Sequence, residues 1–157
     1  SLSPGIAVNS ILEKESILAK VTIKARVDGQ YRVGAFLVED GVFSRQSGIT
    51  SGEEWLNTHD NVIRYIDAKH LNYYYGHPIA EISSGETADI LFSWELDDIW
   101  EYGSERGAIN GGIEWAERNN EKLHMVVFVS MNDNNGGFFV ANAIDCPVNG
   151  HTPYEYR

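Results

Sequence analysis

The chain has one cysteine, Cys146, so no disulfide can form within it. A domain of 157 residues does not need one, since it buries about 70% of the surface its unfolded chain exposes. Cys146 stands beside Pro147 at the end of an apolar run and reads as a buried, inert thiol rather than a nucleophile. No apolar stretch approaches the roughly 18 residues that a membrane-spanning helix requires. No signal peptide is visible. Basic residues are scarce, with 12 Lys and Arg against 23 Asp and Glu, a net charge of −11. Such a field repels phosphate backbones and anionic headgroups, which argues against a nucleic-acid partner. It favours cationic partners or Ca²⁺, though a well-solvated surface explains it equally. The chain opens on Ser1 rather than Met and is expected to be an excised piece of a longer protein.

The motifs of common chemistries are missing as well. There is no GxSxG elbow, no P-loop and no dinucleotide fingerprint. The histidines His59, His70, His77, His124 and His151 have neither the helical nor the strand spacing of a zinc site. His124, inside an apolar strand, reads as a hydrogen-bonded core or edge residue. Glu53-Glu54, Asp97-Asp98 and Glu114 with Glu117 are carboxylate pairs, but in so acidic a chain such pairs arise by chance. No metal and no cofactor is expected. The only Ca²⁺ candidates are Asn132, Asp133 and Asn134 in the run MNDNNGG, which a long β-turn explains as well.

What the chain does have is alternation. Ala19, Val21, Ile23, Ala25 and Val27 share one face of a strand, with Lys20, Thr22, Lys24 and Arg26 on the other. Asp28-Gly29 follows and Gln30 to Val38 reads as a return strand, so a hairpin is expected that sets Ile23 opposite Gly34 and Val21 opposite Phe36. Gly34 there marks a close backbone approach or a bulge. Leu123 to Met131 is apolar on both faces, as a central strand is, and Phe138 to Val148 returns beside it. Ala88 to Leu96, Asn61 to Ile66 and Ile79 to Ile82 are further strands. Two connections are long and polar, Asp40 to Asp60 and the glycine-bearing Asp98 to Asn120, with a short helix expected around Ile113 to Asn119. The pattern predicts an all-β single domain over residues 1–157. The fold is an antiparallel two-sheet β-sandwich, immunoglobulin-like or jelly-roll-like, of about seven to nine strands. Its core is to include Val21, Ile23, Phe36, Trp94, Val127, Val129, Phe139 and Ile144 or their alternation partners.

Aromatic residues supply the candidate binding surface. Trp55, Tyr74, Trp100, Tyr102 and Trp115 fall in the long connections or at strand margins, with Tyr73 and Tyr75 at the edge, and Trp94 within a strand. Such side chains stack on sugar rings or anchor a protein partner, although they also plug the ends of sandwiches.

Four segments occur in a telling order. They are FLVEDGVFSRQ (Phe36–Gln46), THDNVIR (Thr58–Arg64), KLHMVVFV (Lys122–Val129) and VANAIDCPV (Val140–Val148). Together they resemble the twenty-eight-kilodalton outer-membrane protein family of gut and oral anaerobic bacteria, over about residues 5 to 148. Asp60 interrupts the family's His-Asn pair here, and Asp98 to Asn120 is longer than the usual connection. The resemblance implies a β-sandwich of a lipid-anchored envelope lipoprotein, often following a thioredoxin-like domain. Adhesive or receptor-like roles are implied, with no catalytic residues to carry over. Read physically, Glu39 and Asp40 end a strand and cap the loop that follows, and Arg64 pairs with an acid there. The expected function is a non-catalytic binding or accessory domain, its partner an envelope protein or glycan. The alternatives are a carbohydrate-active enzyme and a domain assisting a thiol-disulfide oxidoreductase.

Overall fold

The computed structural model describes residues 2–44, 48–110, 115 and 117–156, with the backbone alone for 107–110. In chain order the elements are β1 (Gly5–Glu13), β2 (Ser16–Lys24), β3 (Tyr31–Glu39), β4 (Val42–Phe43), β5 (Thr58–His59), β6 (Val62–Asp67), β7 (His77–Pro78), β8 (Thr87–Glu95), α1 (Leu96–Asn110), β9 (Leu123–Asn132), β10 (Phe138–Pro147) and β11 (Gly150–Glu155). Two antiparallel sheets form the sandwich. One has the order β11-β1-β2-β8; the other runs β10-β9-β3-β6, with β7 also paired to β3. Alternation builds the core: Ile6, Val8, Ala19, Val21, Ile23, Phe92 and Trp94 of one sheet lie buried with Val33, Ala35, Leu37, Met125, Val127, Val129 and Ile144 of the other. Eight strands have six residues or more and three have two, which puts the long ones within the expected range among the described residues.

The hairpin expected across Asp28-Gly29 does not form. β2 pairs with β1 and β8, so Val21 faces Val8 and Ile90. β3 lies in the other sheet, with Gly34 opposite Phe128 and Phe36 opposite Val126. The connecting loop is tied elsewhere. Asp28 accepts a hydrogen bond from Ser84 N, Ser84 Oγ donates to Arg26 O, and Gly29 exchanges backbone bonds with Ile82. A central strand such as β3 needs neighbours on both sides, and β9 and β6 provide them. Gly34 is nonetheless a close approach, since a Cβ there would stand 2.4 Å from the Phe128 ring and 2.8 Å from Ala68. Phe36 is therefore half-buried on the outer face against Phe128, at 5.4 Å, rather than in the core. Phe139 is also outside the core, at 46% exposure.

The helix is displaced from its expected place. Residues 113, 114 and 116 lie outside the described residues, and Trp115 and 117–119 are not helical. The helix is α1, with Asp97 and Asp98 in its first turn, where carboxylates favour the positive end of the dipole. Gly103 read as a loop residue because glycine disfavours helix. It is required inside α1, since a Cβ would come within 2.5 Å of the Trp115 ring. The hairpin of β9 and β10 forms as expected. In place of a strand over Ile79 to Ile82 there is only β7, plus the lone bridge from Ile82 to Gly29.

Candidate functional site

β6 carries one extra residue. Val38 of β3 pairs with Ile63 and Leu37 pairs with Tyr65, so Arg64 is the bulge residue between them. Ile63 and Tyr65 project outward while Arg64 is 6% exposed. Its Nη2 donates to Glu39 Oε1 at 2.8 Å and its Nε donates to the same oxygen at 3.1 Å. The other Glu39 oxygen accepts from Asn119 N at 3.1 Å. Two indoles close over the guanidinium, Trp115 at 4.4 Å and Trp100 at 5.4 Å. Arg118 lies over Trp100 from another side and also meets Asp97 and Glu15. This buried clamp ties α1 to the sandwich.

On the solvent side of the clamp lies a groove of about 600 Å³ between β6, the end of β8, α1 and the turn after β6. Ile63, Tyr65, Ile66, Tyr74, Trp94, Ile99 and Tyr102 supply most of its wall, with Lys69, Glu95 and Asp98 exposed beside them. Tyr74 and Tyr102 are each 60% exposed. Tyr65 packs edge-on against Trp94 at 5.6 Å, and burial raises the pKa of its phenol, helped by the charge of Asp67. Trp94 is fixed from behind, its Nε1 donating to Asp67 Oδ2 at 2.7 Å while Asp67 Oδ1 holds His77 Nε2 at 2.5 Å.

The aromatic residues singled out from the sequence divide accordingly. Tyr74 and Tyr102 meet in the groove. Trp100 is buried and Trp115 half-buried, their faces taken by guanidinium groups, so the expected exposed surface does not include Trp100. Trp55 is 73% exposed on a short 3₁₀ turn, Glu54–Asn57, and does not line the groove. Tyr73 stacks on Tyr75, which turns to Phe138. Sequence reasoning missed Ile63, Tyr65, Ile66 and Ile99. The sequence marked Asn61 to Ile66 as a strand, but nothing in it placed α1 alongside.

The remaining polar candidates have structural partners. Asp133 Oδ1 accepts from Asn135 N and Gly137 N and Asn134 takes a φ of 67°, which close the β9–β10 turn, while Asn132 Oδ1 accepts from Gln30 N before β3. Among the described residues no group of three or more His, Cys, Asp or Glu is placed to hold a metal ion. Glu53 and Glu54 accept bonds from the backbone of their own turn, and Glu114 lies outside the described residues. Burial, then the charges of Asp145 and Glu155, push the Cys146 thiol up to about 12. His124 bridges Asp145 at 2.6 Å and Asp40 at 3.2 Å. Burial alone lowers its pKa, but the two carboxylates outweigh that and raise it. Asp40 is held below its ordinary value, chiefly by the Asn61 N–H. Asp60 accepts in turn from Gly41 N, which closes the loop that the sequence marked for capping.

Comparison with known proteins shows a fold likeness. The solved structure of HBP35 of Porphyromonas gingivalis matches with a TM-score of 0.55 and 16% identity, over 88% of this chain and 40% of that one. The chain thus spans less than half of that protein. No protein-family profile and no curated protein matches the chain.

Proposed function

We propose that the chain is a non-catalytic binding domain of a bacterial cell-envelope protein, with the β6–α1 groove as its ligand site. The observation that carries this reading is the groove itself, a concave apolar surface with tyrosines left open to solvent. Contiguous apolar surface of that kind marks interaction sites, because leaving it exposed to water is unfavourable. Its walls are rigid, since Trp94 is pinned by Asp67 and α1 by the Arg64 clamp. The envelope setting draws on the fold shared with the Porphyromonas protein and on the four ordered segments that resemble the outer-membrane family. The lipid anchor and the thioredoxin-like neighbour that the family implies belong to the same reading. Among the described residues no helix is long and apolar enough to cross a membrane.

The test is a parallel screen of the native chain and the Tyr74→Ala/Tyr102→Ala variant on peptide and glycan arrays. A ligand retained by the first and lost by the second, at equal melting temperature, supports the groove. Ligands held equally by both place the site elsewhere. Mass spectrometry of the recovered ligand separates binding from catalysis, since a cleaved or modified product would replace this reading with an enzymatic one.

A further inference from the structure

We infer that the groove takes an extended segment of a partner protein in which a basic side chain lies beside apolar ones. The inference rests on reading the groove as the domain's ligand site. Its wall is mixed aliphatic and aromatic, with Ile63 at 51%, Ile66 at 45% and Tyr65 at 39% exposure. A sugar needs a flat ring to stack on and a surrounding set of hydroxyl-directed polar groups. Isoleucines provide neither, but they do complement apolar side chains. Tyr74 and Tyr102 add large contact area at low entropic cost.

The charge around the groove selects the sign of the ligand. Glu95 and Asp98 are exposed along one wall, and Glu101 follows on the same helix. Arg64 at the base is already neutralised by Glu39. The tyrosine faces attract cations of the chain itself, with Lys69 Nζ 5.6 Å from the Tyr74 ring and the Arg106 guanidinium 4.9 Å from the Tyr102 ring. Those faces are taken, so a ligand ammonium or guanidinium meets the Glu95 and Asp98 carboxylates, and the net charge of −11 steers it in while repelling acidic segments. An extended ligand fits because β6 is the outer strand of its sheet and Ile63, Tyr65 and Ile66 line the groove along it.

The experiment uses fluorescently labelled peptides of alternating Leu and Arg, matched peptides with Glu for Arg, and an array of neutral and amino-sugar oligosaccharides. The Arg peptides are expected to bind, more weakly as salt rises, and the Glu peptides are not. Tyr102→Ala should weaken binding about thirty-fold. Asp98→Lys should reverse the charge preference, and Asp98→Asn, milder for the helix, should abolish it. Circular dichroism checks that each variant is folded. Equal binding of Arg and Glu peptides overturns the inference. Glycan binding that Tyr102→Ala removes, without peptide binding, overturns it while leaving the groove as a ligand site. Peptide binding indifferent to Tyr102→Ala and Asp98→Lys, or no binding in either screen, overturns both.

Discussion

The two open sides of the sandwich are closed by different means. On the side of β10 and β11, Asn142 joins the sheets. It is 4% exposed and its Nδ2 donates to Pro4 O at 2.8 Å and Glu155 O at 3.0 Å. On the side of β6 and β8, closure needs the Arg64–Glu39 pair, two indoles, the Asp67 bridge to Trp94 and a whole helix. The first closure is small and flush. The second stands away from the sheet and leaves the groove. A bulky seal made of charges and rings creates concave surface that one amide and the Ser10 hydroxyl, which donates to Pro147 O at 2.8 Å, do not.

The largest difference should appear when each seal is cut. Arg64→Met strands the Glu39 carboxylate in the interior and should cost about 3–5 kcal/mol in urea unfolding, whereas Arg64→Met with Glu39→Leu should recover most of it. Asn142→Leu leaves the buried Pro4 carbonyl and the part-buried Glu155 carbonyl without their donor and should cost about 1–3 kcal/mol. If Asn142→Leu proves the more damaging, the ranking of the two sides is reversed. A smaller effect concerns pH. His124, with its pKa raised in the folded state, contributes stability that is fully present below its unfolded value of 6.5 and fades as pH rises through the folded value. The native melting temperature should therefore decline above pH 6.5 relative to His124→Gln, and parallel curves would remove His124 from the account. Smallest of all, Tyr102→Ala should change stability by no more than about 0.5 kcal/mol, since its side chain is held by little besides Arg106. A larger loss would make Tyr102 part of the seal rather than of the open groove.

Much of this was legible in the sequence. Alternation in Ala19 to Ile23 and the two-faced apolarity of Leu123 to Met131 reported real physical demands, one buried face and two. Arg64 was expected to pair with an acid of the capping run, and the structure shows which one, Glu39. The failures have equally physical causes. Asp28-Gly29 suits a tight turn, but the loop is held by Ser84 and Ile82, far along the chain. The β1–β2 hairpin turns at Lys14, with φ 55°, without a glycine to announce it. β11 contains Pro153, which argues against a strand until it is seen to lie at a sheet edge. The groove was half legible. Tyr74 and Tyr102 were named, yet the helix that brings Tyr102 beside β6 was hidden by its glycines, of which Gly103 lets Trp115 approach.

The pairing of strands also sets a clock. Asn9 lies beside His151, Lys20 beside Leu91 and Ala35 beside Val127, so three of the ladders join positions far apart along the chain. Had Asp28-Gly29 folded β2 onto β3, a nucleus of neighbours would have been available early. Instead each sheet must wait for strands made much later, and its loops must close before any contact rewards them. Chains of this kind refold in roughly milliseconds to seconds rather than microseconds. During synthesis, β1 and β2 emerge with both edges exposed, that of β2 until β8 arrives and that of β1 until β11 does, and that interval is when the domain is open to wrong partners.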